Sequence, residues 1–316
     1  MLAGWPAVEA EGRTEPEAGK SAFVRGSLLV VAGATLWGHH GAVVQIAYGM
    51  GFTVPQVLFG EFLLGTLFLG AWSLFRGEIP RGMGVAAWAE FLLFGLCGGS
   101  VGLLLFIAFS LGPVPVATTL LFLYLPLVFL VSLVFLHEKA SPLRLAAVAI
   151  ILLGAVGGTN LPSVGWGDDS LAGAPAAFGA ACAFAGLILW TPRLSGRTTA
   201  VFRALLCCVG PLLVFLPVAL AQGWALLPVE PWRPSVWAFL LLLASLGQVV
   251  PVLLFMQGLP RTGRRVGTIL ASLELPVSVV AAAYLLGTAV APIQWAGIAL
   301  ILGGVALSQW AGRPIA

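Results

Sequence analysis

Six side chains in this sequence are candidates for chemistry: His39, His40, Glu61, Tyr124, Gln248 and Glu274, all polar residues within long apolar runs. An ionisable group at the centre of a membrane helix costs about 2.5–3.5 kcal/mol on insertion scales, so such groups usually face a cavity or a partner. Glu274 lies about eight residues into its run, roughly 12 Å deep at about 1.5 Å per helical residue. Pro276 follows two residues later. A proline frees a backbone carbonyl, and a freed carbonyl beside a carboxyl makes a ligand or proton site. Tyr124 also stands two residues before a proline, Pro126. Its ring and hydroxyl suit an amphipathic ligand. His39 and His40 are adjacent, about 100° apart around a helix, so one can face a cavity while the other bonds a neighbouring helix. Histidine titrates near pH 6.5 and can carry a coupling proton. Glu61 can pair with a histidine of the first run or sit on an outer pathway. Gln248, with Pro251 one turn on, can both donate and accept hydrogen bonds. Each also has a structural reading: a neutral glutamic acid bonded to a neighbouring helix, or a packed aromatic.

The elements that must hold these residues are ten apolar runs: 27–48, 54–75, 86–109, 113–136, 142–160, 171–193, 199–221, 234–257, 264–287 and 291–311. Crossing a hydrocarbon core of roughly 30 Å takes about 20 helical residues. The chain is 60% hydrophobic and 9% charged, against about 25% charged in a soluble domain. Both facts predict an all-α integral membrane protein with ten transmembrane helices. With the N-terminus placed in the cytoplasm, 14 of the 15 Lys and Arg residues fall on the cytoplasmic side, and Arg233 alone lies outside. Cytoplasmic loops collect Lys and Arg, so the split predicts both the orientation and the number of helices. The basic residues form no dense patch, which speaks against nucleic acid. Residues 1–26 read as a disordered cytoplasmic tail and 312–316 as a cytoplasmic C-terminus. The first run exceeds the 7–15 apolar residues of a signal peptide and reads as a retained helix.

The polar stretch 161–170, holding Asp168 and Asp169, divides the chain into 27–160 and 171–311, five helices each. At a constant offset of 150, Leu123, Leu125 and Pro126 meet Leu273, Leu275 and Pro276; Pro142 meets Pro292, Ala146 meets Ala296, and Gly154 meets Gly304. Tyr124 then becomes the mate of Glu274, and both are expected on one central cavity. An odd number of helices per half turns the second copy upside down. The expected architecture is therefore two inverted five-helix repeats, a recurring plan of secondary transporters.

At this point the chain resembles the drug/metabolite transporter superfamily in its EamA-like ten-helix branch. Leu36-Trp37-Gly38 is similar to the opening signature. Pro126, followed by His137-Glu138-Lys139 and Ser141-Pro142, resembles the end of the fourth helix and its turn. Leu273-Glu274-Leu275-Pro276 and Pro292 to Gly297 resemble the second copy. The chain departs from the pattern at Gly287-Thr288-Ala289, where an acid-base turn is common, and at Glu61, where an arginine is common. The resemblance implies an exporter of small metabolites such as amino acids, or of amphipathic compounds, by alternating access. It also implies a bacterial inner membrane. Proton coupling is a separate expectation, resting on Glu274, Glu61 and the histidine pair.

Other chemistries find little footing. A phosphate-binding Gly-x-x-x-x-Gly-Lys-Ser/Thr loop is absent, so no cofactor and no direct ATP drive are expected. His137-Glu138 lacks the second histidine of H-E-x-x-H, and no third ligand accompanies His39 and His40, so no metal is expected. An intramembrane hydrolase or transferase would need a nucleophile paired with a base. No serine, among them Ser100, Ser110, Ser132, Ser245, Ser272 and Ser278, shows such a local signature. A passive channel is the remaining alternative. Cys97, Cys182, Cys207 and Cys208 lie within apolar runs and read as small hydrophobes. Gln45 lies towards the outer end of the first helix, Glu90 reads as solvated near an interface, and Glu138 as a local ion pair with Lys139. The expected partners are a small-molecule solute and the lipid bilayer, with glycine faces on the fifth and tenth helices offering a surface for a homodimer.

Overall fold

The computed structural model describes residues 20–135, 141–160, 169–195, 197–221, 223, 225–227 and 233–311. Its helices are α1 Lys20–Gly49, α2 Val54–Phe75, α3 Val85–Leu111, α4 Val114–Leu121, α5 Tyr124–Phe135, α6 Pro142–Gly158, α7 Ala174–Ser195, α8 Ala200–Ala221, α9 Pro234–Ala244, α10 Val250–Ala271, α11 Glu274–Leu286 and α12 Pro292–Ala311. A π-helical turn, Ser245–Val249, joins α9 to α10. Nine stretches among the described residues have the length and apolarity of membrane spans, and Pro142–Gly158 is a shorter apolar helix. Side chains such as Phe75, Val85 and Tyr284 are more than four-fifths exposed. Lipid makes that exposure inexpensive, because hydrocarbon tails are as apolar as the side chains themselves.

Local sequence sets the helix ends. Thr53 opens α2 in a capping box with Gln56, whose Oε1 accepts the Thr53 backbone N–H at 2.9 Å. Ser141 caps α6, its Oγ accepting the Arg144 N–H at 3.2 Å, with Pro142 in the first turn where its missing N–H is harmless. At the matching place in the second half, Gln294 Oε1 accepts the Ala291 N–H at 2.9 Å, and Pro292 opens α12. Gly287 ends α11 at φ +67°, a left-handed cap that favours glycine. That accounts for one of the departures noted in the sequence: this turn is built on a backbone conformation, not on an acid-base pair.

Two boundaries differ from expectation. α1 begins at Lys20, so residues 20–26 are helical and not part of a tail. At the end of this stretch Gly26 packs closely on α10: a Cβ there would stand 3.0 Å from the Gly258 carbonyl. The eighth and ninth spans also meet within α10, where the chain doubles back. A Cβ on Gly267 would lie 3.9 Å from Leu259 Cα, whereas eight residues of straight helix cover about 12 Å. The spans accordingly divide as Pro234–Thr262 and Val266–Leu286.

The ten-helix arrangement is two inverted five-helix repeats. α6 packs along α12, and their contacts exchange under the offset of 150. A Cβ on Gly154 would meet Ile301 Cγ1 at 2.8 Å, and one on Gly304 would meet Ile151 Cγ1 at 2.6 Å. Gly154, Gly157, Gly297 and Gly304 are used in this packing within one chain, whereas a Cβ on Gly303 would meet nothing within 4 Å. α1 crosses both α10 and α11, and its counterpart α7 packs against α3, α4 and α5. His137, Glu138, Lys139 and Asp168 lie outside the described residues.

Candidate functional site

The offset pair Pro126 and Pro276 breaks a helix in each repeat. In a continuous helix these prolines would donate to Phe122 O and Ser272 O, but they have no N–H. The chain tightens instead. Leu125 N donates to Phe122 O and Leu275 N to Ser272 O, both at 3.2 Å; Leu123 N donates to Leu120 O and Leu273 N to Leu270 O. The two turns place Tyr124 and Glu274 at the first positions of α5 and α11. α1 lies against the second break: a Cβ on Gly38 would stand 2.9 Å from Glu274 O.

A third proline shapes the facing helix. Pro251 cannot donate to Gly247 O, four residues back, and the helix widens into the π turn, with Val250 N–H reaching Ser245 O. The orphaned Gly247 carbonyl accepts the indole N–H of Trp37 at 2.7 Å. Gly247 also makes room for a buried acid-base pair: a Cβ there would lie 2.3 Å from His40 Cδ2 and 3.1 Å from Glu61 Oε1. His40 Nε2 sits 3.0 Å from each carboxylate oxygen of Glu61, whose side chain is 1% exposed. Phe106 meets the His40 ring edge-on at a centroid distance of 5.6 Å.

Around this pair lies a central cavity of about 340 Å³, walled in part by Trp37, His40, Glu61, Gln248, Glu274 and Arg203. Gln248 stands in the π turn, and Arg203, near the start of α8, donates to Thr198 O at 2.7 Å. Aromatic rings of Phe62, Phe94, Phe106, Phe109 and Phe184 supply much of the remaining wall. Beside it is a larger cavity of about 630 Å³, which shares Trp37, Leu121, Phe184 and Glu274 with the first. Glu274 therefore stands at the junction. Among the described residues its carboxyl has no hydrogen-bond or ion-pair partner.

The six sequence candidates separate in the structure. His40, Glu61, Gln248 and Glu274 line the central cavity. Tyr124 does not; it lines the side cavity with Glu274, its ring 4.5 Å from Phe184. His39 lines neither cavity, because the turn of about 100° from His40 carries it off that face. Its Nδ1 lies 2.7 Å from Thr35 O of its own helix. Trp37 and Gly247 went unrecognised as site residues. The sequence clue was Pro251, whose missing N–H needed to be read against Gly247. Glu90 is not merely solvated: Arg193 donates to it at 2.8 Å and Arg197 also pairs with it. At the opposite face Gln45 Nε2 donates to Phe109 O and Gly112 O, each at 2.8 Å. Ser100, Ser110, Ser272 and Ser278 donate to carbonyls of their own helices. No group of three His, Cys, Asp or Glu able to hold a metal is found among the described residues.

The sequence profile of the EamA-like transporter family matches residues 24–158 and again 171–310. The chain belongs to the EamA-like transporter family. Its two matched segments correspond to the two halves seen in the fold, and family members are membrane transporters of the drug/metabolite type. No curated protein matches the sequence. A solved structure, described only as the crystal structure of a protein, is similar in fold, with a TM-score of 0.58 and 20% identity over 93% of this chain and 99% of its own. In this EamA-like chain the two helix breaks, the π turn and the His40–Glu61 pair all converge on the interface between the repeats.

Proposed function

We propose that this protein is a secondary exporter of small metabolites or amphipathic compounds, working by alternating access and driven by protons. The observation that carries the reading is the Glu274 carboxyl, placed by a helix break at the junction of two cavities and without a hydrogen-bond or ion-pair partner among the described residues. A carboxyl so placed can hold either a proton or a solute, and exclusive occupancy of one group is the simplest coupling device. Movement of the repeats about their interface would present it to either side in turn. His40 and Glu61 sit on the same cavity wall and form a second proton-carrying pair. In this reading Gln248 orients the solute, and Tyr124 flanks Glu274 from the side cavity.

The orientation is part of the proposal: both termini in the cytoplasm of a bacterial inner membrane, as the Lys and Arg distribution favours. The Glu90 cluster with Arg193 and Arg197 then marks the cytoplasmic end. Reconstitution into liposomes with a panel of amino acids and amphipathic amines tests the function. Flux that accelerates under an opposed proton gradient is expected. A chain that moves no solute, yet hydrolyses or modifies a lipid, would overturn the transport reading in favour of an intramembrane enzyme. Flux indifferent to any gradient and without saturation would favour a passive channel. For the orientation, a cysteine at Arg197 should be labelled only by reagents reaching the cytoplasm; labelling from outside would reverse it.

A further inference from the structure

The side cavity is the larger of the two, and its chemistry is uneven. Its walls carry Trp37, Phe122, Tyr124, Phe129, Phe184 and Phe255. The rings are paired: Trp37 with Phe255 at 4.7 Å between centroids, and Tyr124 with Phe184 at 4.5 Å. Leu121, Leu125, Val128, Val148, Ile151 and Ile188 make up most of the apolar remainder. Among the described residues two charged side chains reach it. Arg144 belongs to the first turn of α6, at the end where that helix is capped. Glu274 stands at the other charged position, on the wall shared with the central cavity.

Aromatic faces carry negative charge density and attract organic cations, more strongly when the cation is desolvated. A carboxylate among such rings favours a cation over a neutral molecule of the same shape, because charges interact more strongly in a largely apolar surrounding than in bulk water. A volume of about 630 Å³ falls within the range of small-molecule sites, about 300–1,000 Å³.

We propose that the side cavity binds an amphipathic monovalent organic cation, an aromatic amine or quaternary ammonium. Its head lies at Glu274 and its apolar body against Trp37, Tyr124, Phe184 and Phe255. The compartment adjoins the central cavity through the Glu274 wall, so a cation held there is positioned to enter the transport path. As a binding site it stands on its own; that the cation is then moved rests on the transport reading above. Amino-acid zwitterions are the competing class, since Arg144 and Arg203 offer counter-charges at the edges of the two cavities.

The test is equilibrium binding to the intact protein in lipid nanodiscs, followed by calorimetry. The probes are benzyltrimethylammonium, its neutral carbon isostere neopentylbenzene, and phenylalanine as the zwitterion. The cation should bind at least tenfold more tightly than either. Glu274→Gln should erase that preference while leaving neopentylbenzene binding intact, which also reports a folded site; Glu274→Asp should retain it. Phe255→Leu, on the side cavity, should weaken the cation severalfold. Phe239→Leu, in contact with Phe52 and on neither cavity, should not. Equal affinity for cation and isostere, tighter binding of phenylalanine, or an unaltered preference in Glu274→Gln would overturn the proposal. A cation bound but never moved across liposomes would sink the transport reading alone. Flux of other solutes without cation binding would sink this inference alone.

Discussion

The two broken helices share a backbone and differ in chemistry. Between α4 and α5, and again between α10 and α11, a proline two residues into the second segment produces the same short turn with the same hydrogen-bond order. The first break presents Tyr124 and the second Glu274. One is packed on Phe184 and confined to the side cavity; the other stands on both cavities, with no hydrogen bond or ion pair among the described residues. Inverted repeats supply the symmetric frame that alternating access needs. The difference shows that the same backbone turn can present an aromatic ring in one repeat and a carboxyl in the other, so symmetric repeats carry asymmetric chemistry.

Removing the carboxyl tests that difference most severely. Glu274→Gln is expected to reduce proton-driven flux at least tenfold, whereas Tyr124→Phe should change it by no more than about twofold to threefold. Comparable losses in liposome assays would place the chemistry on both breaks. Replacing the prolines should give a smaller but still unequal effect. Pro276→Ala restores an N–H able to close the helix and so re-aims the carboxyl; Pro126→Ala re-aims only an aromatic. Flux is expected to fall severalfold in the first and little in the second.

Packing around the pair on the facing wall gives an intermediate effect. Gly247→Ala sets a methyl group 2.3 Å from His40 Cδ2. Overpacking of this kind typically costs about 1–3 kcal/mol. Thermal unfolding in detergent should shift downward, and the His40–Glu61 pair should separate. The smallest effect is expected at Gly287, where φ is +67°. Alanine in the left-handed region costs roughly 1–2 kcal/mol, so Gly287→Ala should lower stability with transport unchanged. A loss of flux there without loss of stability would assign the turn after α11 a part in transport.

The sequence made the frame legible because lipid imposes simple rules. Runs of about 20 apolar residues, one-sided Lys and Arg, and prolines recurring at an offset of 150 each follow from a single physical constraint. The assembly of the site was less legible. That His40 and not His39 meets Glu61 depends on the rotation of α1, which adjacent residues in an apolar run do not reveal. Trp37 bonds the Gly247 carbonyl, which lies 210 residues away in sequence and lacks its helical donor because of Pro251. The helix also extends back to Lys20, beyond the apolar run whose length marked its start in the sequence. Tyr124 and Glu274 could be paired by symmetry, but not divided between two cavities.

The central claim is that the second repeat's carboxyl couples solute to protons. It is tested most directly by flux measured in liposomes under an imposed pH gradient, comparing the native protein with Glu274→Gln. The native protein should move its solute against a concentration gradient when protons flow the other way, and Glu274→Gln should lose that uphill movement. Uphill movement that persists unchanged in Glu274→Gln would contradict the account.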